Sequence, residues 1–132
     1  MTPAVKSWLI IGSIMGLSSV ILGAAGAHWL SEYISEDRVG TYETAVRFHM
    51  FMSVIILLCV LVFKNMNMKF SIVNPSLMFF LFGSLIFFGS LYLLSLTDVS
   101  LFGALAPIGG MMIVLGWVFF IYYIYSIKSN NL

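Results

Sequence analysis

The sequence predicts an all-α integral membrane protein, a four-helix bundle in which residues 1–132 form one four-span domain. Three observations predict it: 61% of the residues are hydrophobic, only 8% are charged, and four long stretches are almost free of charge. Soluble domains usually contain about 45–50% apolar and about 25% charged residues, so this composition cannot cover a surface that faces water. Helices are expected rather than strands, because runs such as Val54–Leu58 lack the alternation of a transmembrane barrel.

The first two predicted spans differ in how completely they avoid charge. The first covers residues 7–29, none of which is acidic or carries a lysine or arginine. The second covers residues 36–63, but its charge-free part is only Phe48–Phe63. That part rises about 24 Å as a helix, whereas a bilayer core is about 30 Å thick. We therefore expect this helix to extend back through Glu43 and Arg47, or the bilayer to thin around it.

The third and fourth predicted spans are marked by prolines. The third covers residues 75–96, with Asn74 as the residue that caps it and Pro75 as its first helical residue. The fourth covers residues 101–127. Pro107 lacks a backbone N–H and should kink or start this helix, and Gly109 and Gly110 loosen it further. One hypothesis is therefore a helix break of the kind that forms binding sites in transporters. The favoured alternative is a helix that begins at Pro107, with residues 101–106 in the membrane interface.

The distribution of charge predicts the orientation. The N-terminus, the middle loop and the C-terminus carry only lysines, whereas the first and third connections hold every acidic residue and both arginines. Because basic residues stay cytoplasmic, both termini should lie in the cytoplasm. The lysines are Lys6, Lys64, Lys69 and Lys128. Trp8, Tyr122, Tyr123 and Tyr125 are expected at the inner interface, and Trp29 and Tyr33 at the outer one.

A secretory signal peptide is the alternative for the first span. Lys6, an apolar run and then Ala25-Gly26-Ala27 resemble such a peptide with its cleavage site. Cleavage would leave three helices with the same charge pattern. The apolar run is long for a signal peptide, so four spans are preferred.

Small residues along the helices predict how the bundle packs. Helices in lipid gain little from apolarity, and close backbone approach through small residues matters more. The predicted packing glycines are Gly12, Gly16, Gly23, Gly26 and Gly89. Packing within one bundle is preferred. A second copy of the chain (a homo-oligomer) or another membrane-protein partner is the alternative, beside the lipid bilayer itself.

Four polar residues near the first connection form the candidate site: His28, Glu43, Arg47 and His49. Glu43 and Arg47 lie four apart, in the favourable order for an ion pair on a helix. We expect a structural network at the helix ends. A haem or metal site at His28 and His49 is an alternative, because two histidines on adjacent helices could ligate iron or another metal ion.

Other chemistries find little support. The serines lack the G-x-S-x-G pattern of hydrolases, and no glycine-rich phosphate loop is present. A single cysteine excludes an internal disulfide, and a net charge of +1 provides no field for nucleic acid. We predict no catalytic residue, no metal ligand and no cofactor.

Five segments of the sequence form recognisable motifs: Leu22–His28, Thr41–Phe48, Phe88–Thr97, Leu101–Gly110 and Leu115–Trp117. They resemble the motifs of a family of small bacterial inner-membrane proteins known as domain of unknown function 423, or UPF-0382. The resemblance implies a four-span, multi-pass protein of the bacterial plasma (inner) membrane without an established activity. His28, Glu43, Arg47 and Pro107 fall on matching motif positions. The family tends to carry a histidine where this chain has Met52, and His49 lies one turn before it.

Three functions remain as hypotheses. The preferred one is a non-enzymatic accessory, assembly or envelope-integrity protein. The second is a small oligomeric transporter or channel that uses the polar residues and the Pro107 region, and the third is the two-histidine haem or metal site.

Overall fold

The computed structural model describes residues 1–66, 71 and 73–126, and in this part the chain forms four long α-helices. Each is long and apolar enough to cross a membrane, which confirms the predicted fold class. The helices are α1 (Pro3–His28), α2 (Glu36–Asn65), α3 (Pro75–Thr97) and α4 (Ser100–Ser126), with a 3-10 turn at Leu30–Glu32. Three residues used in the predictions lie outside the described residues: Lys69, Lys128 and Ile127.

Two helices start with the same chemical signal. The Asn74 side chain accepts a hydrogen bond from a backbone N–H in the first turn of α3, at 3.2 Å, and Pro75 follows as the first helical residue. Thr2 and Pro3 do the same for α1, where the Thr2 hydroxyl accepts from Val5 N at 3.4 Å. The first helix therefore begins four residues before the predicted residue 7. The Thr-Pro pair in the sequence is the signal that indicates this start.

The second helix extends well beyond its charge-free part. It runs through Glu43 and Arg47 and contains 30 residues, so it rises about 45 Å. This confirms the expected backward extension. The Ser35 side chain makes no capping hydrogen bond. Instead, the Ser35 carbonyl accepts from Arg38 N at 2.8 Å.

Consecutive helices pack against each other in antiparallel order. α1 lies on α2, α2 on α3 and α3 on α4, so α2 and α3 are central and α1 and α4 flank them. The largest buried side chains include Trp8, Phe63, Phe80, Met52 and Ile56. Trp8 has only 1% of its surface exposed, because its ring belongs to the core between the helices, so it faces the other helices and not the lipid. Its predicted level near the inner interface stays a prediction.

Four glycines of α1 lie along the contact with α2: Gly12, Gly16, Gly23 and Gly26. A Cβ atom added to Gly12 would lie 2.8 Å from the Leu57 side chain, so these helices approach closely there. Gly89 is different, because an added Cβ would meet no atom within 4 Å. Its predicted packing role is wrong. Gly83 makes the close approach of α3 instead, because a Cβ added there would lie only 2.9 Å from Ile113 N in the backbone of α4.

The fourth helix continues through Pro107 without a break. The hypothesis of a broken segment at Pro107, Gly109 and Gly110 is therefore wrong, and so is the alternative of a helix starting at Pro107. Pro107 lies on the exposed side of α4. Two residues later, Gly109 packs directly on the α3 backbone, where an added Cβ would overlap Phe87 N. This contact holds α4 against α3 immediately after the proline.

Candidate functional site

The predicted polar residues separate into two places. His49 is buried in α2, with 4% of its surface exposed, whereas His28 is exposed at the last residue of α1. On α1, His49 contacts Ser18, which precedes His28 by ten positions, or about 15 Å of helix. The two histidines therefore do not face each other, and a site that joins them is not formed. Among the described residues, no three of His, Cys, Asp and Glu come together as a possible metal site.

His49 connects three helices. Its Nε2 atom lies 3.2 Å from Ser18 Oγ on α1, its Nδ1 atom lies 3.4 Å from the Tyr92 hydroxyl on α3, and its ring stacks on Phe88 at 3.9 Å. The Ser18 hydroxyl also lies 2.9 Å from the Ile14 carbonyl, to which it donates. One set of roles satisfies every atom: His49 Nε2–H donates to Ser18, and the Tyr92 O–H donates to Nδ1. In this arrangement the imidazole is neutral and forms hydrogen bonds from α2 to both α1 and α3.

Tyr42 adds a second connection between α1 and α2. Its hydroxyl donates to the Leu22 carbonyl at 2.7 Å, and its ring packs under Gly26, where the absence of a side chain makes room. The rings of Tyr42 and Tyr92 meet edge to face, with centroids 5.2 Å apart. Hydrogen bonds between membrane helices contribute about 0.6 kcal/mol on average, and up to about 1.7 kcal/mol. We therefore assign a structural role to this aromatic and histidine cluster.

The remaining interior polar groups are serines that bond to backbone carbonyls. Most bond within their own helix, as Ser84 does to Leu81 at 2.9 Å. Ser76 is an exception, because it reaches the Gly116 carbonyl on α4 at 2.9 Å. Over the described ranges, no buried side-chain nitrogen or oxygen lacks a hydrogen-bond partner. The interior polar groups are thus satisfied by the protein itself.

An open cleft of about 490 Å³ lies between α1 and α2, beside the connection that joins them. We call it the α1–α2 cleft. Its lining residues are Gly23, Gly26, Ala27, Ile34, Val39, Tyr42, Glu43, Val46 and Arg47. Small side chains form the α1 side, whereas α2 contributes two charged side chains of opposite sign.

Glu43 and Arg47 do not form the predicted ion pair. Arg47 Nη2 donates instead to the Thr44 hydroxyl at 3.3 Å, and Thr44 in turn donates to the Gly40 carbonyl at 2.8 Å. Both charged side chains are exposed. They therefore line the cleft as separate charges, available to groups outside the protein.

The ion pair found within the described part of the chain joins Arg38 to Asp98, with Arg38 Nε 2.6 Å from Asp98 Oδ1. Asp98 ends α3 in the left-handed conformation, at φ 56°, which turns the chain towards α4. The pair connects the start of α2 to the turn between α3 and α4. This pair was not predicted from the sequence, because the partners are 60 positions apart. The only signal was that both residues were predicted on the same side of the membrane.

Comparison with known proteins identifies the family. A family model described as "Protein of unknown function (DUF423)" matches residues 22–110. The UPF0382 membrane protein YwdK of Bacillus subtilis is 32% identical over 113 residues, which cover 86% of this chain and 91% of that protein. The UPF0382 inner membrane protein YgdD of Escherichia coli is 34% identical over 110 residues, 83% of this chain and 82% of that protein. A UPF0382 membrane protein of Staphylococcus epidermidis is 33% identical over 113 residues, 86% of this chain and 90% of that protein.

No solved structure matches the chain. The predicted family and the predicted location in the plasma membrane are confirmed by these relatives and by the four apolar helices. Because the family model covers two thirds of the sequence and the relatives match along most of their length, the chain belongs to the DUF423 family of multi-pass membrane proteins.

Proposed function

We propose that this protein is a non-enzymatic membrane protein that acts as an accessory or assembly partner and supports the integrity of the cell envelope. The observation that carries the proposal is the outer face of α4. The buried residues of α4 are Ala106, Gly109 and Gly116. The two glycines pack on α3, so the opposite side of α4 faces away from the bundle.

That free side is continuous and bulky. It includes Leu101, Ile108, Met111, Val118 and Ile121, each with more than half of its surface exposed. Lipid covers such a face in an isolated monomer. Dispersion contacts with another membrane helix would use the same surface, because helix association in lipid depends on side-chain packing. The face therefore supports assembly as the role of α4.

The interior of the bundle supports this proposal over a transporter or channel. A conduction path requires polar groups that are free to replace the hydration shell of a solute. The buried polar groups of the described residues are already satisfied, and α4 crosses Pro107 unbroken. A transporter would then need a pathway between copies of the chain. The crosslinking experiment described next also detects such copies.

The test is to extract the protein, tagged at its native level of expression, into lipid nanodiscs without detergent exchange. A photoreactive amino acid placed at Met111, on the outer face of α4, should give a crosslinked protein of defined mass. The matched control at Ile14, an exposed position of α1, should give lipid adducts only. Lipid adducts from both positions, together with a monomer mass by native mass spectrometry, would contradict the proposal.

A further inference from the structure

We propose that the α1–α2 cleft binds the headgroup of a phospholipid that carries a primary amine. Arg47 would hold the phosphate, and Glu43 would hold the ammonium group. The inference uses a different surface from the outer face of α4, so it does not depend on the proposed assembly role.

The depth of the two charges fits this ligand. Arg47 is the last charged residue before the charge-free run Phe48–Phe63, so it lies where the apolar part of α2 begins. Lipid phosphates occupy the same level, at the boundary of the hydrocarbon core. Glu43 lies one turn further from the membrane centre, at a separation of about 6 Å along the helix axis.

The order of the charges also matches. In an amine-carrying phospholipid the phosphate is next to the glycerol and acyl chains, and the ammonium group lies further out. Along α2 the guanidinium is nearer the membrane centre and the carboxylate is further out. This correspondence holds whichever side of the membrane the cleft faces.

Both side chains are free to bind. Neither forms an ion pair with another residue that the structure describes, although an i to i+4 pair would be favourable on an isolated helix. The contact between Arg47 Nη2 and Thr44 leaves most of the guanidinium donors available. A guanidinium binds phosphate oxygens through two parallel hydrogen bonds, and a carboxylate accepts hydrogen bonds from a primary ammonium group. A quaternary trimethylammonium group has no N–H to donate.

The shape of the cleft fits a headgroup with the glycerol attached. Its volume of about 490 Å³ lies within the range of about 300–1,000 Å³ that is usual for small-molecule sites. The sides around the charged pair are apolar, with Ala27 and Gly23 on α1 and Val39 and Val46 on α2. Gly23 and Val46 lie at the level of Arg47 and would contact the glycerol and the first acyl carbons. Ala27 and Val39 lie further out and carry no group that competes for the charges.

The test is lipid binding to the purified full-length protein, measured by native mass spectrometry. The probes are phosphatidylethanolamine, phosphatidylcholine and phosphatidylglycerol with identical acyl chains. We expect phosphatidylethanolamine to bind about tenfold more tightly than phosphatidylcholine, which corresponds to one charge-assisted hydrogen bond. Glu43→Gln should abolish this preference. Arg47→Gln should weaken binding of all three lipids, and the control Lys64→Gln, at the opposite end of α2, should change nothing.

Exchanging the two charged residues tests whether binding depends on their order along α2 or only on their presence. The double variant Glu43→Arg/Arg47→Glu keeps the net charge but reverses the order, so it should lose the preference for phosphatidylethanolamine. Its helicity and melting temperature should match those of the wild type, which shows that it folds. If the double variant does not fold, the single variants Glu43→Gln and Arg47→Gln test the proposal. Equal binding of the three lipids by the wild type, or an unchanged preference in Glu43→Gln, would overturn the proposal. Displacement by soluble phosphoethanolamine as effective as by the lipid would also overturn it, because the site would then bind the free headgroup.

Discussion

Replacing Gly109 with alanine tests the contact between α3 and α4. The new Cβ would lie 2.6 Å from the Gly83 carbonyl oxygen and 2.8 Å from the Phe87 Cα, whereas ordinary contacts begin at 3.4 Å. The obstacle is backbone, which cannot rotate away, and its nearest atom is Phe87 N, so the helices have to separate locally by about 1 Å. A gap of about 0.5–1 Å removes about a quarter to a half of the dispersion energy of the affected contacts. Overpacking of this kind costs about 1–3 kcal/mol.

Gly89→Ala is the matched control on α3. No atom lies within 4 Å of the added Cβ, so the substitution creates no overlap. Alanine in place of a helix-interior glycine contributes up to about 1 kcal/mol of stability. The same gain offsets part of the cost at Gly109, where we expect a net loss of up to about 2 kcal/mol. Unfolding by sodium dodecyl sulfate in mixed micelles, followed by helicity, measures both values. Equal stability of the two variants would refute the packing described for α4.

Three further substitutions test the polar contacts. Tyr42→Phe removes the hydrogen bond to the Leu22 carbonyl on α1 and should lower the free energy of unfolding by about 0.5–1.5 kcal/mol. The control Tyr33→Phe, at an exposed residue, should have no effect in the same micelle assay. His49→Leu removes the contacts to Ser18 and Tyr92 on neighbouring helices and should lower the melting temperature of the protein, whereas His28→Leu should leave it unchanged. A larger loss of melting temperature in His28→Leu than in His49→Leu would contradict the structural role of His49. Asp98→Asn should cost less than about 1 kcal/mol, and the loss should shrink in high salt; a larger, salt-independent loss would argue against a simple surface ion pair.

The helices were predictable because lipid restricts the choices strongly. A backbone that crosses a bilayer has to satisfy its own hydrogen bonds, so long apolar stretches have to be helical. Local signals then located some ends, as Asn74 and Pro75 did for α3. The charge-free part of the second span is too short to cross a bilayer core, which indicated that α2 had to include Glu43 and Arg47, and it does.

The contacts between helices were less predictable, since they depend on rotation and register that spacing along one helix does not determine. Gly89 was expected to pack because of its type, yet it lies where no neighbour approaches. His49 was considered as a partner of His28 because the two lie on adjacent helices, but its partners on α1 and α3 are set by how the three helices meet.

The Pro107 break failed for a related reason. A missing N–H weakens a helix locally, but tertiary contacts decide whether the helix separates. Here Gly109, two residues after the proline, packs against the α3 backbone, and the helix continues. The sequence contains the glycine, but not the partner that it contacts.

The arrangement of the helices across the membrane is tested most directly by cysteine labelling in intact cells. Cys59 is buried in α2, so it is first replaced by alanine. Single cysteines are then introduced as Tyr33→Cys in the first connection, and as Lys6→Cys and Lys64→Cys at the opposite end of the bundle. A membrane-impermeant maleimide should label Tyr33→Cys in intact cells, and should label the two lysine variants only after permeabilisation. Labelling of all three variants from the same side would contradict the four-span account.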